Sequence, residues 1–139
     1  MGVGAGLVGG GPPIEISQAR NLNALMWEQA QRAQPYSVSL GTNLNAVATG
    51  SIVASLFGRT AHTLELNGTF TLTVNFMGSE DGENFVALTP SSILAGTATG
   101  ADITAAGIYL FRVPLVYARL DVTAYTSGSA NSLLISTRL

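Results

Sequence analysis

The stretch 68–88, GTFTLTVNFMGSEDGENFVAL, constrains the fold most. Phe70, Leu72, Val74 and Phe76 alternate with Thr69, Thr71, Thr73 and Asn75. A period of two puts the apolar set on one face of a β-strand and the small polar set on the other. Asn67-Gly68 precedes it, a dipeptide that accepts the positive φ angles of a tight hairpin turn, so residues 61–66 are expected to be the hairpin partner. After the strand, Asp81-Gly82 turns the chain into a second strand at 85–88, which Pro90 stops. Three strands are thereby specified within a short span.

The rest of the chain from Tyr36 onward reads in the same way. Residues 36–40 and 46–57 are β-rich and uncharged, and residues 108–113 form a strand ended by Pro114. Residues 93–106 contain AGTATGAD, expected as a loop or irregular edge. Residues 117–125 and 132–139 flank Thr126-Ser127-Gly128-Ser129 as a second hairpin, with Ala118, Leu120, Val122 and Ala124 on one face. Tyr117, Arg119, Asp121, Thr123 and Tyr125 take the other. About eight short strands joined by Gly, Asn and Ser turns predict a mainly β protein, an antiparallel β-sandwich with the jelly roll among its allowed arrangements.

The N-terminal segment differs in kind. Six of the first eleven residues are glycine, a composition with a high entropic cost of ordering, which predicts an extended arm. Over 15–34 the spacing becomes helical, with Ala19, Leu22, Met26, Ala30 and Ala33 three or four residues apart. Ser17 is placed to cap this helix, Glu28 and Arg32 are spaced for an ion pair, and Pro35 ends it. The chain therefore divides into an arm and helix at 1–35 and a β-sandwich domain at 36–139. The arm is expected to grip a partner through Leu7, Val8, Ile14, Ile16, Leu22, Met26 and Trp27.

Charge narrows the function classes. Only 10% of the 139 residues are charged, against roughly 25% in ordinary soluble proteins. There is no lysine, and no charged side chain lies between Arg32 and Arg59 or between Glu83 and Asp102. Surfaces so poor in charge are expected to face other protein. The net charge of −2 and the scattered arginines argue against a nucleic-acid partner, which needs a basic patch. No apolar run approaches the ~20 residues that span a bilayer, and the N-terminus lacks the pattern of a signal peptide, so synthesis in the cytoplasm and no membrane partner are expected. Without cysteine there is neither a disulfide framework nor a thiolate site.

No catalytic motif is present, no cofactor is expected, and no metal site is assigned. His62 is the lone histidine, too little for zinc. Glu80, Asp81 and Glu83 crowd one loop, but their spacing departs from a calcium loop; they are expected to be solvated acids around a turn. The glycines of the arm precede no strand-turn-helix unit, so they form no dinucleotide fingerprint.

The run 67–85, NGTFTLTVNFMGSEDGENF, then Gly107-Ile108-Tyr109, then 117–130, YARLDVTAYTSGSA, resembles small β-sandwich structural proteins of tailed bacteriophages. In that family a strand ending in phenylalanine and a Gly-Ser-x-Asp-Gly-x-x-aromatic loop precede a Tyr-Ala-Arg strand and a Ser-Gly turn. The aromatic is often tryptophan there and is Phe85 here. The resemblance covers residues 61–138 and implies a non-enzymatic virion subunit, such as a capsid decoration (cement) protein bound to the major capsid protein or other virion proteins. It further implies a homo-oligomer, with a trimer favoured by analogy. Tail, baseplate or head-tail accessory roles are the alternatives within that reading. The same loop is similar to that of discoidin-like carbohydrate-binding sandwiches, which makes Ser79, Asp81 and Phe85 a candidate ligand loop for a glycan, with Tyr109, Tyr117 and Tyr125 as candidate rings.

Overall fold

The computed structural model describes residues 35–138, all of them strand, turn or irregular chain. The expected arm and helix lie outside the described residues. Seven strands follow: β1 (Tyr36–Val38), β2 (Ala54–Ser79), β3 (Val86–Ala87), β4 (Ser92–Ala95), β5 (Ala98–Thr99), β6 (Asp102–Ile103) and β7 (Gly107–Thr137). They form one antiparallel sheet, and the expected mainly β fold is the one observed.

Two long strands dominate it. On one edge β2 pairs with the second half of β7, from Ala61↔Thr137 to Ser79↔Tyr117; on its other edge its first half pairs with the first half of β7, from Ala54↔Ala118 to Leu66↔Gly107. The sheet therefore doubles back on itself in two layers. Phe76 stands opposite Leu120 in the ladder and Phe111 stands opposite His62, yet the Phe76 and Phe111 rings meet at 4.5 Å. That contact joins the layers. Leu56, Leu64, Leu66, Leu72, Val74 and Phe76 from β2 and Tyr109, Phe111, Leu115, Leu120 and Leu134 from β7 fill the space between them, all buried. β1 and β4 extend opposite edges of one layer, β1 on residues 134–136 and β4 on residues 108–110.

The alternation at 70–76 appears as expected, with Leu72, Val74 and Phe76 buried and Phe70 partly so. The hairpin after it forms too, since Met77↔Ala87 and Gly78↔Val86 pair around the Asp81-Gly82 turn. The two other expected hairpins do not exist. Asn67-Gly68 and Ser127-Gly128 do not reverse the chain; the β2–β7 ladder runs through both, from Ala61↔Thr137 to Thr71↔Ser127. Gly68 and Gly128 do hold positive φ, 122° and 82°. They lie nearly opposite each other, in the pairs Gly68↔Ala130 and Phe70↔Gly128, and bend both strands of the ribbon together. A Cβ on Gly68 would overlap the Ser129 carbonyl oxygen, and one on Gly128 would overlap that of Thr69. Local sequence specified the dihedrals, while the choice of partner strand came from burial far along the chain.

Two register shifts follow, between Thr71/Leu72 and Thr73/Val74, where Thr126 and Thr123 are the extra residues on β7. Each added residue flips the faces beyond it. Ala118, Leu120 and Val122 are buried as expected, but Ala124 is exposed. Residues 46–53 also depart from expectation: they are irregular chain touching the sheet at the bridge Ala48↔Val122, just after the bridge Leu44↔Ala130. Residues 93–106 form the irregular edge, carrying parts of β4, β5 and β6. The Tyr109 hydroxyl pins it, accepting from the Thr97 N–H at 3.0 Å and donating to the Ala105 carbonyl.

Candidate functional site

The loop 79–85 is built by one serine and one aspartate. Ser79, buried at the end of β2, donates its hydroxyl to Asp81 Oδ1 at 2.9 Å and accepts from the Gly82 N–H at 2.9 Å. Asp81 Oδ1 also accepts the Glu83 and Asn84 N–H groups, each at 2.9 Å, and Oδ2 accepts from Asn84 Nδ2 at 2.8 Å. This is an Asx turn with its carboxylate fully used. The Asn84 and Glu83 backbone donors, then the Asn84 and Ser79 side chains, hold the Asp81 carboxyl well below the usual carboxylate range. Glu80 reaches back to accept from the Val116 N–H at 3.2 Å, which ties the loop to β7.

Phe85 closes the loop on a charged platform. The Arg119 guanidinium lies 4.1 Å from the Phe85 ring centroid, and its Nε and Nη2 donate to Asp121 Oδ1 and Oδ2 at 3.0 and 3.3 Å. Asp121 Oδ1 also accepts from the Gly50 N–H at 2.7 Å. Arg119 and Asp121 are two apart on β7, on one face as the alternation predicted. The sequence did not reveal that Phe85 stacks on this pair, because the contact joins residues far apart in the chain. Beside the loop is an open groove of about 420 Å³, lined in part by Val86, Leu88, Val113, Pro114 and Leu115.

Ser79, Asp81 and Phe85 therefore sit in one loop, with their polar atoms bonded within it. Of the three rings expected for a sugar platform, Tyr109 is fully buried and offers no face to a ligand, since its hydroxyl and ring hold the 95–106 edge to the core. Tyr117 lies under the turn, 3.4 Å from where a Cβ on Gly82 would stand, and the Tyr125 hydroxyl donates to the Gly128 carbonyl at 2.9 Å. The arm positions Leu7, Val8, Ile14, Ile16, Leu22, Met26 and Trp27 are outside the described residues.

His62 is a core residue, 1% exposed. Its Nε2–H donates to the Val113 carbonyl and its Nδ1 accepts from the Ser136 hydroxyl, both at 2.8 Å. The Val113 carbonyl can only accept, which puts a proton on Nε2, and burial favours the neutral ring, in which Nδ1 accepts from Ser136. Burial lowers its pKa, against the opposing pull of the Val113 and Arg59 backbone hydrogen bonds and with a further push from the Arg59 charge. Among the described residues no three His, Asp or Glu side chains converge for a metal, and no helix is long and apolar enough to cross a membrane.

The fold has a solved counterpart. The crystal structure of the SPBc2 prophage-derived protein YomS superposes with a TM-score of 0.63 at 11% identity, over 75% of this chain and 94% of that one. At that identity the likeness is one of fold. No family model matches the sequence, and no curated protein matches it.

The uncharged run between Arg32 and Arg59, expected from the sequence to face other protein, carries exposed apolar side chains that sequence reasoning did not single out. Val47, Ile52, Val53 and Phe57 are large apolar side chains at 63%, 41%, 46% and 67% exposure.

Proposed function

We propose that this chain is a non-enzymatic structural subunit of a bacteriophage particle, and specifically a capsid decoration (cement) subunit. The observation that carries the reading is the fold itself, which matches a prophage-derived protein over nearly that protein's whole length. The resemblance of residues 61–138 to phage sandwich proteins supports it independently of the superposition. So does the exposure of uncharged apolar side chains on an otherwise well-packed sandwich, since such patches mark protein contacts.

In this role the work is thermodynamic. The sandwich supplies a rigid body, the arm crosses to a neighbouring virion protein, and every contact formed only in the particle shifts the equilibrium toward it by mass action. The test is mass spectrometry of particles purified by density gradient from the host that carries the gene. The chain is expected to co-migrate with the particle at a fixed ratio to the major capsid protein. Its absence from intact particles would overturn the reading, and recovery only with isolated tails would move the subunit from the head to the tail.

A further inference from the structure

Arg59 presents a charge that the described fold does not neutralise. It is only 9% exposed, and among the described residues the ion pair is Arg119 with Asp121, not one at Arg59. Its Nη1 donates to the Leu56 carbonyl at 3.2 Å, while its Nε is buried with no hydrogen-bond partner. The guanidinium packs against Tyr36 at 5.3 Å and Phe57 at 5.7 Å from the ring centroids. Cation–π contact offsets part of the desolvation, but a buried donor without an acceptor remains a cost.

Phe57 marks the same corner. Its φ is 55°, a left-handed conformation that a bulky residue rarely adopts, and its ring is mostly in solvent. Its carbonyl accepts from Arg138 Nη2 at 3.4 Å, so two guanidinium groups contact this one residue. Strain that exposes an apolar ring between two cations is retained where something binds. The complementary feature is on the same molecule. Glu83 is exposed and forms no ion pair among the described residues, Glu80 is beside it, and the Asp81 hydrogen bonds hold their loop in one shape.

We propose that the exposed Phe57 ring and the Arg138 guanidinium, which adjoin the buried Arg59 charge through Phe57, receive the acidic loop at Glu80 and Glu83 of a second copy of this chain. The two surfaces differ, so the contact forms either reciprocally, as a two-fold dimer in which each corner takes the other copy's loop, or head-to-tail, as a ring or an open array. The inference rests on reading the chain as a self-assembling subunit and names the surface that assembles.

The experiment is sedimentation velocity of the full chain over a concentration series, for the native sequence and for Arg138→Glu, Glu83→Arg, the double variant and Phe57→Gly. Association of the native chain is expected, weakened about tenfold by either charge reversal and returned to near the native value in the double variant. Phe57→Gly relieves the left-handed backbone strain, which opposes the loss of the ring from Arg59, so it should weaken association in a chain that still unfolds cooperatively. Single variants that associate like the native chain, or a double variant as weak as the singles, would overturn the contact while leaving the virion reading intact. A native chain that stays monomeric would overturn it too, and the particle composition test would then judge the virion reading separately.

Discussion

His62 is the residue whose chemistry reaches furthest into stability. It is buried between Ser136 and Val113 in the neutral form, with its pKa below the ordinary 6.5. Because the folded state then binds fewer protons than the unfolded one, stability is complete above pH 6.5 and falls as the pH drops from there toward the folded pKa. Urea unfolding between pH 5 and pH 8 should show this, with a loss of at most about 1.4 kcal/mol per pH unit from this group. Replacing His62 with Gln should flatten that part of the profile even where it lowers overall stability. A profile unchanged by the substitution would mean that the imidazole is not the titrating group. Gly68 and Gly128 have the opposite character, since they act through what they lack. Alanine at either would meet a carbonyl of the facing strand at a positive φ, for a cost of about 1–3 kcal/mol each by thermal or denaturant unfolding. Their penalties should not add, because both describe one bend of one ribbon.

At the scale of elements, the loop 79–85 shows a short motif deciding a local structure outright. Ser79, Asp81, Gly82 and Asn84 lie close enough in sequence to satisfy one another, so its turn was legible from the residues alone. Asp81→Ala should leave the sheet intact and speed amide exchange at Glu83 and Asn84, whose N–H groups the carboxylate now accepts. Exchange at those amides unchanged from the native chain would show that the loop is held by something else. With the Asp81 pKa lowered, this cap is in place above the ordinary carboxylate value near 3.8 and is lost only as the pH falls through the lower folded value. The long strands teach the contrary lesson. Asn67-Gly68 and Ser127-Gly128 satisfy every local rule for a hairpin, yet each ribbon strand finds its partner across the molecule. The alternation from Phe70 to Phe76 fixed which face is buried, and nothing local to it could say that β7 rather than residues 61–66 would lie alongside. Thr123 and Thr126 were equally silent, since a bulge is a property of two strands. The Phe85 stack on Arg119 and the Arg138 contact with Phe57 were invisible for the same reason, being contacts between residues far apart in sequence.

For the whole molecule, the described β-domain contains its own means of closure. β2 and β7 each contribute to both layers, and β1 begins its pairing at Tyr36↔Ser136, close to the start of the described residues. A fragment of residues 36–139 is therefore expected to fold alone, with the cooperative thermal transition of a small domain. Cutting three residues further, to begin at Ser39, removes the strand that covers residues 134–136 and takes Tyr36 from Arg59; the transition should fall by several degrees. Function should divide at the same boundary. If residues 1–34 supply the grip on the particle, the fragment 36–139 will be folded and yet will co-sediment with particles far more weakly than the full chain. That comparison separates anchoring from assembly, because the corner at Phe57, Arg59 and Arg138 and the loop at Glu83 are both retained in the fragment. Equal co-sedimentation of the two would place the particle contact on the sandwich, where the exposed side chains of Val47, Ile52 and Val53 are the surface that substitution should then address.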